Sequence, residues 1–418
     1  MHNEPEARLP IDGERLLADL RVLRTFGATG NGVVRPTLSE VDLESREWLM
    51  ERMRDAGLRT HMDGVSNVFG CSPEPGPALL LGSHSDTQPR GGWLDGALGV
   101  MYALEIARAA REHPDARRLA IDVVSLADEE STFLGCLGSR SLCGVLDEEA
   151  LANATNKDGR RLVEALADAG LTEVPRTQLD RQRYIGYLEA HIEQGPYLEE
   201  LGQQIGVVTS IVGIRGATVT FSGEQNHAGT TPMHRRKDAG VALFEFATRL
   251  RRQFQTLAGD TTVWTFGSAA LEPGAASIIP GSARLTLQFR DPEEARLDRM
   301  YAAAAELADA MSAEGPVGVR IESNREPVRP TIMEAGFQTH IANAAEQHAP
   351  GNWRYMPSAA GHDPMVLSHH LPCAMLFIPS IGGISHDFAE DSHEHDIVAG
   401  CQVLADAAVS ILAEAVRA

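Results

Sequence analysis

Two short runs constrain this chain more than any other feature. "PALLLGSH" (residues 77–84) and "LAIDVVSLADEE" (119–130) are nearly continuous in apolar residues and then end abruptly in histidine or acids. A strand with one wet face alternates, whereas an unbroken apolar run needs cover on both faces. Between them lies "GALGVMYALEIARAAREH" (96–113), which reads as a helix. Strand, helix, strand with buried runs is the pattern of an α/β sheet with parallel strands. "CAMLFIP" (373–379) repeats the signal near the carboxyl terminus.

The middle of the chain reads differently. From Gly213, "GATVTFSG" alternates as a half-exposed strand, and "RKDAGVALFEFATRLRRQF" is helical. "TTVWTFGSA" and "SARLTLQFR" follow as strands, then the helix "EEARLDRMYAAAAELADAMSAEG" and the strand "VGVRIESN". The order β-α-β-β-α-β is that of a ferredoxin-like α+β sandwich. The 418 residues exceed one ordinary core. The expected organisation is a large catalytic α/β domain with a mixed, mostly parallel sheet (1–212 and 328–418), and an inserted small lid or dimerisation domain (213–327). Upstream, "LSEVDLESREWLMERMRDAG" reads as a helix capped by Ser39 and ended by Gly57, with Leu43, Trp48, Leu49 and Met53 on one face.

Composition narrows the function classes. A formal charge of −21 opposes nucleic-acid or anionic-membrane partners. No stretch reads as an apolar run of the ~20 residues that a bilayer needs. The acidic start "MHNEPEARLPIDGERLL" lacks an apolar signal core, and the five cysteines are scattered without a C-x-x-C pair. Both features read as a cytoplasmic protein with free thiols.

Four segments of the large domain place acids or histidines just past a strand. They supply His84, Asp86 and Asp95; Asp128, Glu129 and Glu130; His191, Glu193 and Gln194; and His386 and Glu390. In α/β sheets, sequence-distant loops converge beyond the carboxyl ends of the strands. Each segment also has an ordinary reading: Asp95 as a helix cap, Glu129 and Glu130 as a solvated pair, His191 as a hydrogen-bonded core histidine. Taken together they read as a metal site. Histidine and carboxylate donors without cysteine suit zinc, manganese or cobalt. An H-x-D strand end lets Asp86 accept the second imidazole N–H of His84. Adjacent glutamates can divide metal binding from general-base work.

The ordered motifs "GSHSDT…GGWLDGALGV", "ADEE…LGSR", "HIEQGP", "HAGTTPMHRRKDA", "SAAGHD" and "GGISH" resemble those of the di-zinc amidohydrolases of the aminoacylase/carboxypeptidase superfamily. The nearest branch holds the N-carbamoyl-L-amino acid hydrolases, β-ureidopropionases and allantoate amidohydrolases. The resemblance implies two divalent metal ions per chain, zinc foremost, with manganese and cobalt as alternatives. His84, Asp95 and His191 would bind one, and Asp95, Glu130 and His386 the other. Glu129 would be the general base for a metal-bridging hydroxide, and Asp86 would orient His84. Gln194 and His227 would meet the scissile group, with His227 polarising its carbonyl. Gly361 would offer backbone, and Arg290 with Ser277 would hold a carboxylate. A small-molecule substrate and a homodimer through the small domain are also implied.

Some positions depart from the family pattern. Ser277 stands where the family usually has asparagine, and a serine lacks the amide donor. Trp93 replaces a smaller or charged residue, at a position expected near the pocket mouth. Arg290 ends a strand whose Leu285, Leu287 and Phe289 share a face, so a bulge or strand end is expected to aim it. His227 opens a G-T-T-P turn, where bonds to Thr230 or Thr231 are the ordinary alternative. The reading is a metal-dependent hydrolase of a linear amide or ureido C–N bond, with a ureido acid as the leading substrate. N-acyl-amino acid deacylase, dipeptidase and aromatic-amine aminohydrolase are the alternatives within the class. A catalytically inactive binding module is the alternative outside it.

Overall fold

The computed structural model describes residues 8–417. They fall into two compact units, one from the chain up to Thr209 together with the chain from Ile332, the other Ser210–Thr331. The first seven residues of the amino-terminal stretch lie outside the described residues.

The large unit is organised by a nine-stranded sheet. Its centre is parallel: Cys373–Ile378 pairs with Tyr184–Ile192, then Ala78–His84, then Ala120–Leu126. Antiparallel strands flank this centre, Ile205–Ile211 on one side, and Val68–Cys71 followed by Arg59–Met62 on the other. Every residue of Ala78–His84 and Ala120–Leu126 is buried, as their apolar runs require. The helices Gly13–Thr25, Ala97–Glu112 and Glu394–Arg417 supply the apolar cover, with Leu20, Leu104 and Leu404 in one continuous core.

Two features of this unit correct the sequence reading. Glu394–Arg417 is a helix long and apolar enough to cross a membrane. It is the only such helix among the described residues. Most of it is buried in the core, and the buried Asp396 and Asp406 interrupt its apolar run. The helix Glu40–Asp55 is capped by Ser39 Oγ and ended by Gly57 at φ 77°. Its inward face carries more than Leu49 and Met53, because Asp42 and Arg46 form a fully buried ion pair at 3.0 Å.

The small unit is a four-stranded antiparallel sheet in the order Val263–Glu272, Ser282–Asp291, Gly213–Ser222, Gly318–Ser323. Helices Ala239–Leu257 and Glu294–Glu314 provide the other layer of this ferredoxin-like sandwich. Val219, Phe221, Leu285, Leu287 and Phe289 meet Phe246, Phe254 and Met300 in a core of its own. Along Ser282–Asp291 burial alternates residue by residue, which is the period of a strand with one covered face.

Candidate metal centre

Loops leaving the carboxyl ends of the central strands converge on one point. His84 ends its strand, and the register Leu81 to Leu188, carried on three residues, sets His84 beside His191. Their ring centroids are 5.9 Å apart. Asp95 arrives on the loop before the helix Ala97–Glu112, and Glu129 and Glu130 follow the strand Ala120–Leu126. His84, Asp95 and His191 form one set of donor atoms, and Asp95, Glu130 and His386 a second, with the atoms of each set within 4.8 Å of one another. Asp95 belongs to both: Oδ1 lies 3.1 Å from His191 Nε2 and Oδ2 lies 3.2 Å from His386 Nε2.

The Asp95 carboxylate does not cap the helix; the cap is Gly96, at φ 65° and without a side-chain bond. An added Cβ there would lie 2.4 Å from the His84 ring, so glycine is what lets the imidazole sit against this turn. Glu129 and Glu130 are not solvated, with side chains 11% and 6% exposed. His191 Nδ1 bonds the Ile192 carbonyl at 2.8 Å, which turns Nε2 toward Asp95. Asp86 needs a correction. His84 Nδ1 meets the Asp86 backbone carbonyl at 3.0 Å, while its carboxylate stands 3.6 Å away and accepts from Glu130 N.

The electrostatics are those of too much negative charge in too little water. Burial drives the Glu129 carboxyl well above its ordinary range; His84 opposes this and Glu130 adds to it. Burial, then Asp95, pushes Glu130 up to about 8. Burial works against Asp95 too, but bonds from His191 and His386 outweigh it and hold the carboxyl low. The hydrogen bond to Asp95 raises His386 to about 9. Glu130 Oε1, a member of the second donor set, is buried and has no hydrogen-bond partner. A buried acceptor left unpaired is costly, and a cation between these donors would relieve it. The residues therefore fit divalent metals, and a donor set of nitrogen and oxygen suits zinc, manganese or cobalt.

Other residues take supporting places. Gln194, at φ 59°, donates from Nε2 to Asp95 Oδ2 at 3.3 Å and to Ser385 Oγ at 3.1 Å. Gln88, passed over in the sequence despite lying in the same loop, donates to Glu130 Oε2 at 2.6 Å. Asp128 faces its own turn, accepting from the N–H groups of Thr132, Phe133 and Leu134. Glu193 caps the short helix Tyr197–Glu200 and is not part of either donor set. Trp93 is not at a pocket mouth: it is 7% exposed within the core, with Arg24 over its ring and its indole N–H on Asp391. Gly361 is exposed, two residues before the buried Asp363.

His227, Ser277 and Arg290 belong to the small unit. His227 is exposed on a two-residue strand whose partner is Ile278. Its Nδ1 accepts from Gly229 N and Thr230 N, at 3.0 and 3.1 Å. The turn bonds foreseen from sequence are therefore present, and they place the proton of the neutral ring on Nε2. Exposed Ser277 immediately precedes Ile278, its carbonyl accepting from Ala228 N. Arg290 needs no bulge: the register from Ser282 to Asp291 is unbroken, and alternation alone sets it opposite Leu287 and Phe289. It is half-buried, and Gln288 accepts from its Nε at 3.1 Å.

A parallel-centred sheet that gathers histidines and carboxylates around a shared aspartate defines a class, the metal-dependent hydrolases. The particular family follows from comparison: the chain belongs to peptidase family M20/M25/M40, whose profile matches residues 80–410. It is 33% identical to an N-carbamoyl-L-amino-acid amidohydrolase of Paenarthrobacter aurescens, over 94% of this chain and 96% of the relative. It is also 33% identical to an allantoate amidohydrolase of Escherichia coli K12, over 92% and 94%. Among solved structures, an amidase of the hydantoinase/carbamoylase family from Burkholderia phymatum is 50% identical. It superposes with a TM-score of 0.93, over 98% of this chain and all of that one. The chain is accordingly a hydrolase of the amidohydrolase kind.

Proposed function

We propose that the protein hydrolyses the ureido C–N bond of an N-carbamoyl amino acid or a related ureido acid. The observation that carries the reading is the pair of donor sets sharing Asp95, with the largely covered Glu129 beside them and its Oε2 3.7 Å from His84 Nε2. His84, Asp95 and His191 would hold one divalent ion, and Asp95, Glu130 and His386 the other, zinc being the first candidate. Such ions supply Lewis acidity to a water and to a carbonyl oxygen.

The chain's own residues do the rest. Glu129 takes the proton of the attacking water as its oxygen joins the ureido carbon, and returns that proton to the leaving nitrogen as the C–N bond breaks. The products are ammonia and a carbamate, which loses carbon dioxide. Gln194 has committed its N–H donors to Asp95 and Ser385, so its carbonyl oxygen is the atom to receive the substrate's –NH2. His227, protonated on Nε2, is the donor for the developing oxyanion. Arg290, with Ser277 and the backbone of Gly361, holds the rest of the substrate. A homodimer through the small unit and a cytoplasmic location complete the reading; the first is supported by the exposed edge strand Val263–Glu272, the second by five free cysteines.

Ammonia release from metal-reconstituted protein tests this. The panel is N-carbamoyl-L-amino acids, N-carbamoyl-β-alanine, allantoate, N-acetyl amino acids and dipeptides. Turnover of the ureido acids should fall about 10²–10⁴-fold in Glu129→Gln while the metal content stays near two per chain. Turnover confined to acyl or peptide substrates would overturn the substrate class. Retained turnover in the variant would remove Glu129 from its role.

A further inference from the structure

The sequence singled out Glu390 as an acid close to His386, yet the reaction proposed above leaves it without a part. It is 2% exposed, and neither donor set includes it. Its bonds run elsewhere: Oε1 accepts from Leu94 N at 3.2 Å and Asp95 N at 3.0 Å, and Oε2 accepts from Ser385 Oγ at 2.8 Å. Ser385 in turn accepts from Gln194 Nε2, which donates to Asp95 Oδ2. These contacts close a ring. Asp95 is gripped at its backbone by Glu390 and at its side chain, through Gln194 and Ser385, by the same glutamate.

The surroundings are shaped for that carboxylate. A Cβ at Gly92 would fall 1.8 Å from Glu390 Oε1, so the loop admits the glutamate only because residue 92 has no side chain. The next residue, Asp391, accepts from the Trp93 indole at 3.3 Å, so two consecutive acids hold three consecutive residues of the Asp95 loop. Trp93 thereby gains a role that its place in the core hides. His386 stands in the left-handed region at φ 54°, a backbone state that persists where neighbouring contacts hold it.

From this the geometry points to Glu390 as a positioning residue for both metal sites: an acceptor that locks the shared Asp95 and the His386 loop into one rigid frame. It touches no metal and takes no proton. It acts through Asp95 and Ser385, as the groups that orient ligands do. The inference rests on the metal-binding part of the proposed function and not on the substrate.

Cobalt binding to the metal-free full chain tests it, read by equilibrium dialysis and by the visible absorption of the bound ion. Metal-free thermal unfolding is followed in parallel. Glu390→Ala should weaken cobalt binding about 10–100-fold and alter the absorption spectrum. Glu390→Gln keeps a carbonyl oxygen for Leu94 N and Asp95 N but sets an amide donor where Ser385 Oγ now donates, so it should recover most of the affinity and return the spectrum toward that of the wild type. Ser385→Ala, which cuts one arm only, should fall between and serves if Glu390→Ala does not fold. Wild-type affinity and spectrum in Glu390→Ala would overturn the inference, as would a Gln variant no better than the Ala variant. A wild-type chain that binds no cobalt would instead overturn the metal centre itself.

Discussion

Gly96 separates the shared aspartate from the helix Ala97–Glu112, at φ 65° and with the His84 ring against its α-carbon. Alanine there meets two penalties that can be measured apart. The left-handed backbone costs a residue other than glycine about 1–3 kcal/mol. The new Cβ would lie 2.4 Å from Cε1 and Nε2 of His84, where ordinary contact begins at 3.4 Å, so the ring must retreat by about 1 Å. That retreat pulls Nδ1 from the Asp86 carbonyl, now 3.0 Å away, for a further ~0.5–1.5 kcal/mol. It also withdraws Nε2 from the first donor set, which should weaken metal binding about 10–100-fold, or ~1.4–2.7 kcal/mol. Gly202 supplies the control: it has the same φ of 65° with nothing within 4 Å of an added Cβ. Gly202→Ala should lower the melting temperature of the metal-free protein and leave metal affinity unchanged. Gly96→Ala should lower both, as followed by zinc competition with a chromophoric chelator. Affinities within twofold of each other in the two variants would refute the placement of His84 as a ligand held by this turn.

Two further outcomes follow. Ser277→Asn should lower KM for an N-carbamoyl-L-amino acid by about tenfold, the worth of one hydrogen bond to a charged group, with kcat little changed; an unchanged KM detaches residue 277 from the substrate carboxylate. Arg46→Met should destabilise the fold by about 3–5 kcal/mol, because Asp42 is left buried without its partner, and Asp42→Asn in the same chain should recover much of the loss. Equal denaturant midpoints for the single and double variants would show that the pair is not coupled.

What the sequence revealed, and what it concealed, divides along the range of the interaction. The apolar runs at 78–84 and 120–126 are local facts, and so is the alternation of the small unit; both are legible because burial on two faces or one writes directly into the residue pattern. The acids and histidines at strand ends were legible as a group, since parallel strands bring their carboxyl ends to one edge. Contacts that join distant loops leave no local trace. Nothing near residue 390 announces that its carboxylate reaches the backbone of residue 95, and Gln88 meets Glu130 only because two loops cross. Asp86 shows a subtler limit: the H-x-D spacing reads as a carboxylate contact, while the backbone carbonyl of the same residue is the nearer acceptor. Trp93 misled for the opposite reason, its identity suggesting a pocket rim where the fold uses it as core.

The register that sets His84 beside His191 has a wider consequence. Neighbouring strands in any sheet are held about 4.8 Å apart by backbone hydrogen bonds, whatever side chains they carry. Two of the candidate ligands therefore inherit their separation from the peptide backbone, as marks on a ruler inherit theirs from the rule. Drift in the surrounding loops can reshape what the pocket admits without moving those marks. In such a scaffold the substrate is the variable part and the ligand spacing the constant, so a change of diet need not require a change of engine.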